Sequence, residues 1–205
     1  QGYQSVYLAI GAHKGQRLKV PGDDMAGVYD GITFLREVNL DRWPKKGETN
    51  EKGEAAVTPA RPPLGKVAVI GGGNTAVDSA RSALRLGADS VTIIYRRSRE
   101  EMPVNPWEIE EAEKEGVKIV FLAAPTRIIG NARVTAIECI RMQLGEPDES
   151  GRRRPIPIQG SEFTVAVDTV IAAIGQLPDT GTITGVELTQ WGTIQANEKT
   201  GETSR

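Results

Sequence analysis

Six consecutive residues, Gly71-Gly72-Gly73-Asn74-Thr75-Ala76, have the types and spacing best suited to chemistry, and that chemistry is the holding of a phosphate anion. A pyrophosphate needs backbone N–H groups at close range, and a helix N-terminus supplies unpaired N–H groups with roughly half a positive charge. Gly71, Gly73 and Ala76 fit the pattern G-x-G-x-x-A. The first glycine permits a tight turn, the second leaves no side chain against the phosphates, and the small third residue lets helix and strand pack closely. Such a match also fits a tight glycine turn in some other α/β protein, so its surroundings must decide. Tyr95-Arg96-Arg97-Ser98-Arg99 follows at the place, about 20 residues on, where a site for an unphosphorylated ribose carries Asp or Glu. The first acid here is Glu100. A carboxylate repels a 2′-phosphate, whereas guanidinium groups pair with it and stack on adenine. The pattern favours NADP(H) over NAD(H); the competing reading of these arginines is a solvated strand end.

The elements that would position these residues are legible around them. Val67-Ala68-Val69-Ile70 is a β-branched run of the length of a strand buried on both faces, and it leads into the glycine turn. Ala76, Val77, Ala80, Ala83 and Leu84 then share one helical face, and Gly87 suits the end of that helix. Val91 to Tyr95 reads as a second strand. Asn105, Pro106 and Glu108 mark the start of a second helix and Gly116 its end, before a third strand over Val117 to Leu122. This alternation predicts a parallel sheet with right-handed crossovers.

Flanking segments carry weaker signals. Val6 to Ile10 reads as a buried strand, and since residue 1 is Gln the chain is expected to begin inside a fold. Asp30 suits the cap of a short helix through Val38, with Ile32, Phe34, Leu35 and Val38 as its apolar stripe. Leu40 to Pro63 reads as an exposed polar connector. Val134 to Met142, Ile156 to Ile158 and Phe163 to Val167 predict a three-stranded antiparallel meander with a polar turn over Gly145 to Arg154, and a last buried strand runs over Thr169 to Ile174. A small hairpin is expected around Trp191-Gly192.

Composition removes other classes. The chain has 205 residues, 39% hydrophobic and 25% charged, with a formal net charge of −2, so there is no global attraction to nucleic acid or anionic lipid. No apolar run reaches the roughly 18 residues of a membrane span and no secretory leader is recognisable; a cytoplasmic protein is expected. One cysteine, Cys139, and one histidine, His13, remove most metal cages, and one thiolate is too few for this segment alone to hold an iron–sulfur cluster. Cys139 reads as a core residue, His13 as a loop residue, Arg152-Arg153-Arg154 as a solvated turn, and Glu108, Glu110, Glu111 and Glu113 as a solvated helix face. No residue set reads as an acid–base pair for a substrate, so catalytic residues are not assigned and the chemistry must come from a cofactor.

Several spaced motifs agree in order with one family. Leu8 to Gly15, Val20 to Asp24, Gly27 to Gly31, Val69 to Ala76, Tyr95 to Pro103 and Ala172 to Gln176 closely resemble the small (β) subunit of glutamate synthase. They are similar also to the wider group of NADPH-dependent flavoprotein oxidoreductases, including dihydropyrimidine dehydrogenase and the large subunit of ferredoxin–NADP transhydrogenase. The resemblance covers almost the whole chain. It implies a Rossmann-like NADPH domain inserted into an FAD domain, with the chain crossing between them at Ala9-Ile10-Gly11 and Ala173-Ile174-Gly175. By resemblance, Gly71, Gly72, Gly73, Asn74 and Thr75 would hold the pyrophosphate, Arg96 and Arg97 the 2′-phosphate, and Ala173, Ile174 and Gly175 would lie near the dinucleotide close to the flavin. The role of Arg99 stays open.

The expected division is residues 1–63 as FAD-domain edge and connector, 64–175 as NADPH-binding domain and 176–205 as a return segment. The family's reaction is hydride transfer from NADPH to FAD, with electrons passing to iron–sulfur centres and a partner subunit. A second G-x-G-x-x-G and the family's cluster-holding cysteines are not in this sequence, so the chain is expected to bind NADPH without turning over. Two other readings stand beside this one: a sensor or docking module that binds NADPH without electron transfer, and a self-contained NADP reductase acting on a small carbonyl.

Overall fold

A computed structural model describes residues 2, 5–43 and 63–204. The elements in chain order are β1 (Lys14–Gly15), β2 (Val28–Asp30), α1 (Gly31–Asn39), β3 (Lys66–Ile70), α2 (Asn74–Arg85), β4 (Ser90–Tyr95), a 3-10 turn (Arg99–Glu101), α3 (Pro106–Lys114), β5 (Lys118–Phe121), β6 (Ala123–Gly130), β7 (Val134–Pro147), β8 (Arg153–Pro157), β9 (Phe163–Ala166), β10 (Thr169–Ala172) and β11 (Gln176–Leu177).

Among the described residues five strands form a wholly parallel sheet in the order β2-β10-β3-β4-β5. Its central strands are buried on both faces, which is why Val67 to Ile70 carries no polar alternation. One face packs under the helices: Val67, Val69, Val91, Ile93 and Ile171 meet Phe34, Ala76, Val77, Ala80, Ala83, Ile109 and Ala112. The small residues of α2 are the ones that touch the sheet, and Ala76, Ala80 and Ala83 are fully buried. On the other face Ala68, Ile70, Ile94 and Val170 meet Ile128, Val134, Ile137 and Cys139 of a second, antiparallel sheet. The layers are therefore helix, parallel sheet, antiparallel sheet.

The helix ends follow their residues. Asp30 accepts from the Thr33 N–H at 2.9 Å and caps α1. Asn105 accepts from the Trp107 N–H at 3.3 Å with Pro106 at the first helical position, as anticipated.

Five features differ from the sequence expectations. The antiparallel sheet has four strands: β7 pairs with β6 on one side and with β8 and β9 on the other. β6 was not signalled because Pro125 and two register shifts interrupt its alternation. The polar turn shortens to residues 148–152, since β7 continues through Gly145 to Pro147. Val6 to Ile10 is not a strand; Tyr7 is 92% exposed, and no sheet edge among the described residues pairs with this segment. Trp43, inside the expected connector, is buried with its ring edge-on to Phe34 at 4.8 Å and to Tyr29 at 5.0 Å, while residues 44–62 of that connector lie outside the described residues. β2, within the stretch expected as a flank, joins the central sheet beside β10. The hairpin around Trp191-Gly192 is present as a bridge between Leu188 and Ile194.

Candidate functional site

The sheet order determines where a ligand can enter. From β3 the chain crosses through α2 to β4 on one side, and it later returns to β10 on the other side of β3. Crossovers leaving a strand pair in opposite directions open a crevice at the strands' carboxyl ends, the usual ligand position in open α/β sheets. Gly71 sits at that point: its N–H donates to the Ile94 carbonyl at 3.1 Å, and the Ala173 N–H donates to the Ile70 carbonyl at 2.8 Å. The end of β3 is thus clasped between β4 and β10.

The three glycines have different physical duties. A side chain on Gly71 would place its Cβ 2.1 Å from the Ala173 carbonyl oxygen, and its φ of +142° is one L-residues rarely adopt. A Cβ on Gly72 would lie 2.4 Å from the Tyr95 ring. Gly73 has nothing within 4 Å of its Cβ position, so a side chain there would project into open space. Gly73 is also the N-cap of α2 and makes no side-chain hydrogen bond, which leaves the first N–H groups of the helix without a partner from the cap. Open space beside uncapped N–H groups suits a pyrophosphate, so the turn fits the dinucleotide that the motif calls for.

A cleft of about 590 Å³ opens over this turn. Its wall brings together Gly71, Gly72, Gly73, Thr75, Arg96, Arg97, Ala173, Ile174 and Gly175, nine of the ten candidate residues. The tenth, Asn74, is exposed and does not line it. Gln16, Leu18, Val20, Ile70, Ile94, Tyr95, Pro103, Ala123, Ala124, Pro125 and Arg152 complete the wall and were not among those candidates. Val20, Tyr95 and Pro103 lie in the motifs shared with the family, and Arg152 belongs to the run of three arginines.

The segments after the two Ala-Ile-Gly turns run side by side, because β1 pairs antiparallel with β11 and the Gln16 N–H donates to the Gly175 carbonyl at 3.2 Å. The Gln176 side-chain amide donates to Thr75 Oγ1 at 3.2 Å and ties this ribbon to the start of α2.

The arginines after β4 separate into three roles. Arg96 is exposed and has no hydrogen bond or ion pair among the described residues. Arg97 is only 4% exposed; its Nη2 donates to Asp148 Oδ2 at 2.6 Å and its Nε to the Arg153 carbonyl at 2.8 Å. These bonds use its Nε and one Nη2 hydrogen, so the Nη1 side of the guanidinium is left for a phosphate at the cleft that Arg97 lines. Arg99 is committed to Glu113 through two bonds, at 2.8 and 2.7 Å. Tyr95 donates its hydroxyl to the Glu101 carbonyl at 2.8 Å and fixes the 3-10 turn beneath these arginines.

Carboxylates around the site are held charged. Burial pushes the Glu101 carboxyl up, but Ser98 and the Arg153 guanidinium outweigh it and the net direction is down. The Ser150 hydroxyl and backbone N–H and the Arg97 guanidinium hold Asp148 below the usual carboxylate range. Remote from the cleft, burial raises the Cys139 thiol to about 12, as befits a core residue. His13 is exposed. No helix among the described residues is long and apolar enough to cross a membrane.

The chain is 46% identical over 202 residues to the NADPH-Fe(3+) oxidoreductase subunit beta of Geobacter sulfurreducens, covering 95% of the chain and 28% of that protein. It is 36% identical over 205 residues to the glutamate synthase [NADPH] small chain of Azospirillum brasilense, covering 98% of the chain and 41% of that protein. The chain therefore spans less than half the length of either relative. Among solved structures, Mycobacterium tuberculosis FprA in complex with NADPH shares the fold, with a TM-score of 0.63 at 17% identity over 94% of this chain and 52% of that one. The family model for pyridine nucleotide-disulphide oxidoreductases matches residues 1–205, and the chain belongs to that family.

Proposed function

We propose that this chain is the NADPH-binding part of a flavoprotein oxidoreductase similar to the glutamate synthase small chain, with residues 64–175 as its nucleotide-binding unit. The observation that carries the reading is the cleft itself: an open, uncapped glycine turn lies in one wall with an unpartnered arginine. In this reading Gly73 and Thr75 present N–H groups to the pyrophosphate, and Gly71 and Gly72 keep the turn low enough for the ligand to approach. Arg96 meets the 2′-phosphate. Asn74 contributes through its backbone at the helix start, and Arg97 holds the neighbouring turn in place. Ala173, Ile174 and Gly175 adjoin Gly71 at the end of β10, where the nicotinamide end would lie.

Gly71 to Thr75, Arg96 and Ala173 to Gly175 would hold and align the dinucleotide, which when bound would supply a hydride for a flavin. FAD and iron–sulfur centres would be held outside this chain, in a cytoplasmic assembly with a partner subunit that receives the electrons. Calorimetric titration of the purified protein tests the binding claim. NADPH is expected to bind at least tenfold tighter than NADH, with the preference falling in Arg96→Ala. Equal or tighter binding of NADH overturns the proposal.

A further inference from the structure

The turn between β7 and β8, at residues 148–152, is far in sequence from the glycine turn yet is stapled beside it. Arg97 holds it from β4 by bonding Asp148 and the Arg153 carbonyl. Arg153 in turn donates Nε to Glu101 Oε1 at 2.5 Å, tying β8 to the 3-10 turn. Asp148 also ties the turn to itself, since its other oxygen accepts from the Ser150 N–H at 2.9 Å and from the Ser150 hydroxyl at 2.5 Å.

This arrangement brings together Arg96, Arg152 and Arg154, with which no carboxylate among the described residues pairs. Arg152 lines the nucleotide cleft with Arg96, and both also line an adjoining bay that Arg154 shares. Arg152 spends only its Nε, on Ser150 Oγ at 3.0 Å, and among the described residues Arg96, Arg152 and Arg154 form no ion pair. The bay's carboxylates are Asp148, already held by Arg97, and the exposed Glu149. Like charges on three residues that line one opening repel one another, and an anion bound there relieves that repulsion. Guanidinium forks match a phosphate monoester dianion in both charge and geometry.

We infer that Arg152 and Arg154 complete the 2′-phosphate site begun by Arg96, and that Arg97 is a positioning residue which holds their turn against the cleft through Asp148. This rests on the NADPH reading above and adds to it a specificity element from the antiparallel sheet. Charge-assisted hydrogen bonds of this kind each change affinity roughly 10- to 100-fold.

The test is calorimetric titration of the purified protein and its variants with NADPH, NADH and adenosine 2′,5′-bisphosphate. Arg152→Ala is expected to weaken NADPH and adenosine 2′,5′-bisphosphate by about 10- to 100-fold and to leave NADH unchanged. Arg154→Ala should show a smaller loss of the same selectivity. Asp148→Ala, which releases the turn, should reproduce the Arg152→Ala pattern, whereas a merely structural role would weaken NADH in parallel. Intact selectivity in the Arg152→Ala, Arg154→Ala double variant overturns this inference while leaving the NADPH reading standing. Parallel loss of NADH also overturns it. No preference for NADPH in the unmodified protein overturns both.

Discussion

The two outer glycines of the turn make a matched pair of substitutions with opposite consequences. Alanine at Gly71 would set its Cβ 2.1 Å from the Ala173 carbonyl oxygen and 2.8 Å from its carbonyl carbon, both backbone atoms of a buried strand end that cannot swing aside. Overpacking of this kind costs about 1–3 kcal/mol, and a side chain at a positive φ adds about 1 kcal/mol or more. A loss of roughly 3 kcal/mol lowers the melting temperature of a chain this size by about 6–12 °C. Alanine at Gly73 meets nothing within 4 Å and inherits φ −95° and ψ 179°, which any residue adopts. Its only stability cost is the poorer N-cap, within about 1 kcal/mol, or at most about 4 °C. The new methyl would instead occupy the space assigned to the pyrophosphate, and crowding worth about 1–3 kcal/mol weakens NADPH about 5- to 150-fold. Calorimetric titration and thermal melting of both variants check this. A Gly73→Ala protein that binds NADPH as tightly as the unmodified one refutes the pyrophosphate assignment, and an unshifted melt of Gly71→Ala refutes the packing argument.

Other consequences follow from the same contacts. Arg99→Ala should leave NADPH affinity unchanged in titration and alter stability by no more than about 1 kcal/mol, because its fork belongs to Glu113 on the helix surface. Asp148 has its folded-state pKa depressed, so its contribution to stability is complete above the titration of an unfolded carboxyl, near pH 4, and is lost as pH falls through the folded value. Melting temperatures taken from about pH 7 to about pH 3 should therefore fall less steeply in Asp148→Asn than in the unmodified protein. Cys139, buried and raised to about 12, should stay unmodified by a thiol reagent at mildly alkaline pH and react once the protein is denatured. Trp43→Ala, which empties the space against Phe34 and Tyr29, should cost about 3–5 kcal/mol in a denaturant melt.

The nucleotide side of the fold was legible because its elements are local and strongly patterned. Val67 to Ile70, the glycine turn and the alanine face of α2 each satisfy a short-range rule, and the rules agree with one another. Asp30 and Asn105 announced their helices by capping chemistry that depends on a few neighbouring residues. What stayed hidden depends on long-range pairing. β6 is recognisable as a strand only once β7 lies beside it, since Pro125 and the bulges blur its alternation. Val6 to Ile10 has the composition of a strand but meets no pairing edge among the described residues. Composition placed Arg152 to Arg154 in a solvent-facing turn; the contacts of Arg97 with Asp148 and of Arg153 with Glu101, which span about fifty residues, turn that segment toward the cleft. Side-chain direction is likewise absent from a motif: Arg96, Arg97 and Arg99 look equivalent in sequence, yet one is open, one is buried in a backbone tie and one faces α3.

A crystal structure of the protein grown with NADP+ shows where the dinucleotide sits. The pyrophosphate is expected against Gly73 and Thr75 at the start of α2, with a guanidinium nitrogen of Arg96 within hydrogen-bond distance of the 2′-phosphate. A nucleotide bound away from this turn, or seated there with its 2′-phosphate turned out to solvent, would contradict that placement.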